Sequence, residues 1–265
     1  MAFTKSMPSA GMLALLTMRL APSVLAGIES CSSNSPLSCS SSSTAASCCY
    51  NSPGGLSSRP SSGTTTLPPA QATLGQFTDF VHRPDNCDGT YQEYCDSSRE
   101  YDDITTILQN QGRTELLSYM ETYWKDYEGN DESFWEHEWN KHGTCINTLN
   151  PDCYTDYTAQ EEVGDFFQKV VDLFKTRNTY QALSDAGITP SDYNTYNLAD
   201  IQNALAAIHD GYAPYVGCKD GNLNQVWYFF NVKGNAIDGT YVSAEPLSSS
   251  SCPSSGISYN PKSSY

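Results

Sequence analysis

Between residues 104 and 208, apolar side chains recur at three- and four-residue intervals, the spacing of helices that bury one face. The pattern predicts helices over 104–109 and 114–124 and a third from about 133 to 142. A fourth, over 160–175, carries Val163, Phe166, Phe167, Val170, Val171 and Phe174 on one side, and a fifth covers 198–208. Beyond residue 211 the period changes, and 212–218, 224–232 and 240–244 read as strands. No internal repeat is visible. Helices in the middle and strands at the end predict an α+β fold built on an antiparallel sheet packed with several helices.

The first apolar stretch is of another kind. Lys5 precedes the run Gly11 to Leu16, and Val24-Leu25-Ala26 offers a small-residue cleavage site, so residues 1–26 read as a secretory signal peptide. Arg19 interrupts the run and no later stretch is apolar enough to span a bilayer, so a secreted, extracellular product with no membrane partner is expected. What remains, 27–265, fits one disulfide-rich domain.

Composition sharpens this picture in two places. Residues 27–66 are rich in Ser, Gly, Pro and Thr, as a linker would be, but four cysteines at 31, 39, 48 and 49 argue for an ordered covering pinned to the core. Only 56–76 lacks both cysteines and periodicity and is expected to be poorly ordered. All ten cysteines lie beyond the signal, and an even count in an exported chain implies up to five disulfides; their scatter, with no CxxC pair, weakens a metal-site reading. The net charge of −16 predicts low nonspecific affinity for nucleic acid. A polyanionic substrate is compatible with it only if the protein works in acid, or recognises single-stranded bases through a few local contacts.

The densest chemical signal is Phe134-Trp-Glu-His-Glu-Trp-Asn-Lys-His-Gly-Thr-Cys145. On a helix Glu138 and His142 are one turn apart, as are His137 and Lys141, so the two pairs form adjacent stripes. Gly143 can end the helix and Cys145 can pin its exit. A zinc-protease reading fails on spacing: His137 and His142 are five residues apart, about 140° around a helix, where shared ligation needs four. The plainer alternative is a solvated, salt-bridged helix, but Phe134, Trp135 and Trp139 make this one partly buried, so its polar groups line a cleft. A lysine beside imidazoles suits a phosphodiester, whose transition state gathers charge on its nonbridging oxygens. RNA carries its own nucleophile, the 2′-hydroxyl, so the chemistry needs a base, an acid and a charge clamp, with neither cofactor nor metal.

At this point a resemblance is specific: His137-Glu-Trp-Asn-Lys-His-Gly-Thr-Cys145 resembles the second active-site segment of the ribonuclease T2 family, and Pro84-Asp-Asn-Cys-Asp-Gly-Thr-Tyr91 the tail of the first. The cysteine spacing, Cys48-Cys49 included, is similar to that of the fungal members. The resemblance implies a monomeric, metal-independent endoribonuclease of low base specificity, which cuts single-stranded RNA by transphosphorylation to a 2′,3′-cyclic phosphate and then gives 3′-phosphate ends. It implies His142 as general base, Glu138 and Lys141 as stabilisers of pentacoordinate phosphorus, and His137 as a phosphate holder. Asp85 and Tyr91 would belong to one base pocket and Phe134 to a second. The implied disulfides are Cys31 with Cys49, Cys39 with Cys87, Cys48 with Cys153, Cys95 with Cys145, and Cys218 with Cys252.

One departure matters. The family's first segment runs Trp-Thr-Ile-His-Gly-Leu-Trp-Pro and supplies the general acid, whereas here Phe77-Thr-Asp-Phe-Val-His-Arg83 precedes Pro84. Phe80 stands where that histidine belongs, Arg83 where a base-stacking tryptophan belongs, and His82 lies two positions late. Back-translating Gln71 to Phe80 with permitted codons, and reading two bases out of phase, can yield Ser-Trp-Thr-Ile-His-Gly-Leu; the same offset over Ser61 to Thr65 yields Phe-Trp-Asp-Tyr. Three readings stay open: an active ribonuclease with roughly 56–83 in the wrong frame, an impaired enzyme, or a non-enzymatic secreted binding or storage module on the same scaffold.

Overall fold

The computed structural model describes residues 27–40, 45–52, 54–61, 79–126 and 128–261, with backbone alone for 54–61 and 79–82. The expected signal peptide lies outside the described residues, as does most of the stretch expected to be poorly ordered.

Nine strands and six α-helices occur among the described residues. The strands are β1 (Gly27–Ile28), β2 (Gly54–Ser61), β3 (Asp79–Asn86), β4 (Tyr154–Thr155), β5 (Thr195–Tyr196), β6 (Tyr215–Lys219), β7 (Asn222–Lys233), β8 (Thr240–Ala244) and β9 (Ile257–Ser258). The helices are α1 (Ile104–Asn110), α2 (Thr114–Tyr123), α3 (Asp131–Lys141), α4 (Glu161–Lys175), α5 (Thr179–Asp185) and α6 (Leu198–Ala206). β7 organises the larger sheet. One of its edges pairs with β2, which pairs in turn with β3; β6 and β8 share the other edge, and every one of these pairings is antiparallel. A single parallel register, Asn222 with Ser258, attaches β9. The α+β expectation holds.

The apolar faces read from the sequence divide into two cores. Ile104, Ile107, Leu108, Leu117, Met120, Trp135, Trp139, Phe166, Phe167 and Val170 bring α1 to α4 together and reach the sheet at Val232. Leu183, Ile201 and Leu205 of α5 and α6 lie over Val216, Val226, Tyr228 and Phe230. Each large side chain so buried contributes roughly 1.5–3 kcal/mol relative to exposure. All five implied disulfides are present in the implied pairing, and no cysteine is free.

β2 and α5 are among the elements that escaped the sequence pattern. Residues 56–61, expected to be poorly ordered, belong to β2 and pair on both sides, Ser58 lying opposite His82 and opposite Tyr228. With Gly, Ser and Pro in it, β2 has no alternation to read; its partners' backbones hold it in place. α5 has only seven residues, too few for a periodicity to emerge, and begins where the Asn178 side chain accepts the Gln181 N–H at 3.0 Å.

Candidate active site

α3 is held by one face so that the other can carry chemistry. Asn130 caps its start, Asp131 and Glu132 lie in the first turn, and Lys141 lies in the last, all in keeping with the helix dipole. The Trp135 Nε1–H donates to the Trp124 carbonyl at 2.9 Å and the Trp139 Nε1–H to the Arg99 carbonyl at 2.7 Å. Asn140 exchanges two 2.8 Å hydrogen bonds with the Tyr101 backbone. These anchors fix both the rotation and the depth of the helix, and therefore the direction of His137, Glu138 and Lys141. Gly143 follows the His142 C-cap, though not in the left-handed conformation usual for such a glycine. Glycine is required there for a steric reason: a Cβ would lie 2.4 Å from the Trp139 ring. A 3-10 turn, Gly143–Cys145, then leads into the disulfide to Cys95.

His137, Glu138 and His142 each place a ligating atom within 4.8 Å of the others, and the two imidazoles stand edge to face with centroids 6.1 Å apart. This corrects the argument from helical spacing. His142 lies at the cap with φ −113°, off the ideal helix, so the rotation of about 140° does not keep the histidines from a common point. Glu138 and His142 are buried, His137 is on the surface, and Lys141 is partly exposed. Partial burial of the His137 ring, followed by the nearby Lys141 ammonium, pushes its pKa below the ordinary imidazole value; Glu93 opposes the shift. The neutral ring, able to accept a proton, is thereby favoured.

A second group comes from β3 and the loop after it. Asp85 is 2 % exposed and accepts from Arg83 Nε at 2.5 Å. The Arg83 guanidinium lies 3.9 Å above the Tyr91 ring, and that ring, 43 % exposed, stands 6.4 Å from His142. Arg83 thus links the buried Asp85 to Tyr91, whose ring neighbours the buried His142. A cavity of about 240 Å³ borders Asp85, walled by Phe229, Phe230 and Leu247. Phe134 is partly buried and packs against the helical core. Phe80 and His82 occupy β3 opposite Pro60 and Ser58, two residues apart and so about 6.5 Å along the strand.

The sequence reading missed Glu93 and Tyr94. Glu93 Oε1 pairs with Lys141 Nζ at 2.9 Å, and the Tyr94 ring stands edge-on to His137 at 6.5 Å. Their one signal in the sequence is their place immediately before Cys95, whose partner Cys145 closes the α3 segment.

Residues 36–240 match the model of the Ribonuclease T2 family. Ribonuclease M of Aspergillus phoenicis is 65 % identical over 239 residues, 89 % of this chain and 99 % of that protein. Ribonuclease T2 of Aspergillus oryzae is 54 % identical over 255 residues, 96 % of this chain and 92 % of that one. Among solved structures, that of Actibind, described as a T2 ribonuclease, superposes with a TM-score of 0.83 at 62 % identity, covering 89 % of this chain and 99 % of its own. Human RNase T2, at 21 % identity and a TM-score of 0.52, shares the fold, with 78 % of this chain and 98 % of its own covered.

Proposed function

The chain belongs to the ribonuclease T2 family, and from that premise we propose that it is a secreted endoribonuclease whose α3 segment carries out transphosphorylation of single-stranded RNA. Its similarity to named ribonucleases does not favour the inactive or storage alternative. The observation that carries the mechanism is the convergence of His137, Glu138 and His142 within 4.8 Å, with Lys141 in the last turn of the same helix.

In this reading His142 takes the proton from the ribose 2′-hydroxyl as its oxygen attacks phosphorus. The bond from phosphorus to the 5′-oxygen breaks, and the leaving oxygen takes up a proton from water, because Phe80 stands where the family's general acid belongs. Lys141 and Glu138 steady the charge and protons of the five-coordinate phosphorus, and His137 holds a nonbridging oxygen. Asp85 and Tyr91 bind one base, Tyr91 by stacking, and Phe134 contributes to a second, with contacts that tolerate many bases. Five disulfides support an oxidising, extracellular setting, and no described helix is long and apolar enough to cross a membrane. The test is His142→Ala: RNA cleavage should fall at least about a hundredfold, and a variant that keeps a third of the parent rate would refute the assignment.

The leaving-group acid is the weak point of this chain, because Phe80 stands at its position in the family pattern. We attribute this to a shifted reading frame over roughly 56–83, supported by the two family-like strings recovered at one common offset. Genomic and transcript codons from Gly55 to Pro84 that cannot encode those strings would sink that explanation.

A further inference from the structure

Loop 91–95 reaches three of the four α3 residues that the proposed function uses. Tyr91 faces His142, Tyr94 faces His137, and Glu93 pairs with Lys141. The loop is not free to swing. The Tyr94 N–H donates to the Lys141 carbonyl at 3.1 Å, the Cys95 N–H to Thr144 Oγ1 at 3.1 Å, and the Cys95–Cys145 disulfide follows at once. Tyr94 itself is held at φ 50°, a left-handed conformation that a bulky residue adopts only when its surroundings impose it. The backbone is thus fixed against the end of α3, and Glu93 is left only its side-chain rotamers with which to leave or meet Lys141.

We propose that Glu93 sets the enzyme's affinity for RNA: its carboxylate occupies the place at the Lys141 ammonium that the scissile phosphate takes, so binding is an exchange of one anion for another. This rests on the reading of Lys141 as the phosphate clamp. The ion pair is suited to exchange, since Lys141 is 23 % and Glu93 39 % exposed, and pairs so open to water are held only weakly. A phosphodiester offers the ammonium the same charge together with the stacking and polar contacts of its bases. Glu93 also acts on His137, where its charge opposes the repulsion from Lys141. In a chain of net charge −16 a carboxylate beside Lys141 further disfavours anions that make no base contacts.

The experiment measures binding of 3′-AMP by titration calorimetry, and kcat and KM on a dinucleotide, for the parent protein, Glu93→Gln, Glu93→Ala and Lys141→Ala. Glu93→Gln should bind about three- to tenfold tighter at low salt and neutral pH, the gain shrinking as salt rises. KM should fall by a similar factor while kcat stays within about twofold, because the exchange precedes chemistry. Unchanged or weaker binding in both Glu93 variants would overturn the proposal, and so would a loss confined to kcat, which would make Glu93 a residue that orients Lys141. If Lys141→Ala binds 3′-AMP as well as the parent does, the clamp reading itself fails and the inference falls with it. If Lys141→Ala binds weakly but neither Glu93 variant gains, the inference alone fails.

Discussion

The two halves of the site differ in how they are held. The α3 half, Asp131–Lys141 and the turn after it, is fixed by buried tryptophans, by Asn140 and by a disulfide, and each functional side chain projects from a backbone that has no other place to go. The β2 and β3 half depends on backbone pairing between strands and onto β7, and the histidine expected there by the family pattern is absent. In the proposed reading, the phosphate clamp and base can therefore stay intact while the acid is lost, because the two are built from different elements with separate supports.

The most severe test of that separation replaces the segment preceding Pro84 by the in-phase string. RNA cleavage should rise by about a hundred- to ten-thousand-fold, the usual contribution of a general acid. Equal rates would show that another group, His82 among them, already supplies the proton.

The α3 half should fail differently. Replacing Cys95 and Cys145 together by Ser removes a cross-link with a sequence separation of 50 and should cost about 4 kcal/mol of stability, read by urea unfolding. Activity at temperatures where the protein stays folded should also fall, as Tyr91 and Tyr94 lose their register against His142 and His137. Unaltered kinetics would mean that the hydrogen bonds alone suffice to dock the loop.

Acid should weaken the sheet half first. His209 is wholly buried against Tyr228 and Phe230 of β7, the residues opposite Ser58 and Leu56 of β2. Burial, followed by Arg177, lowers its pKa from 6.5 to about 4. A depressed imidazole pKa means that the unfolded chain binds a proton the native state refuses. Stability should accordingly fall as pH drops from about 6.5 to about 4, by about 3 kcal/mol in all, and change little above that window. His209→Gln should flatten this slope in chemical denaturation, and an unchanged slope would assign it to other groups. The smallest expected effect is none: a strong chelator should leave cleavage by the restored enzyme within error, whereas inhibition reversed by zinc would make the His137, Glu138 and His142 cluster a metal site.

The elements legible in advance were those whose stability is local in sequence. α4 shows its buried face over fifteen residues, and β8 its bounds to the residue, because amphipathic periodicity repeats often enough to be read. β2 could not be read, as a strand of Gly, Ser and Pro becomes ordered only between two neighbours. Gly143 was legible as a helix stop, but not the contact with Trp139 that excludes a side chain there.

By itself the sequence determined the fold class, the cysteine pairing implied by family resemblance, and the concentration of imidazole, carboxylate and ammonium groups in one helix. Only the tertiary structure decided that His137 and His142 meet despite their angular separation, that Arg83 ties Asp85 to Tyr91, and that Glu93 sits on Lys141. The physical reason is range: helical periodicity acts over four residues, whereas a disulfide and a few backbone hydrogen bonds bring a loop 48 residues away onto the helix end.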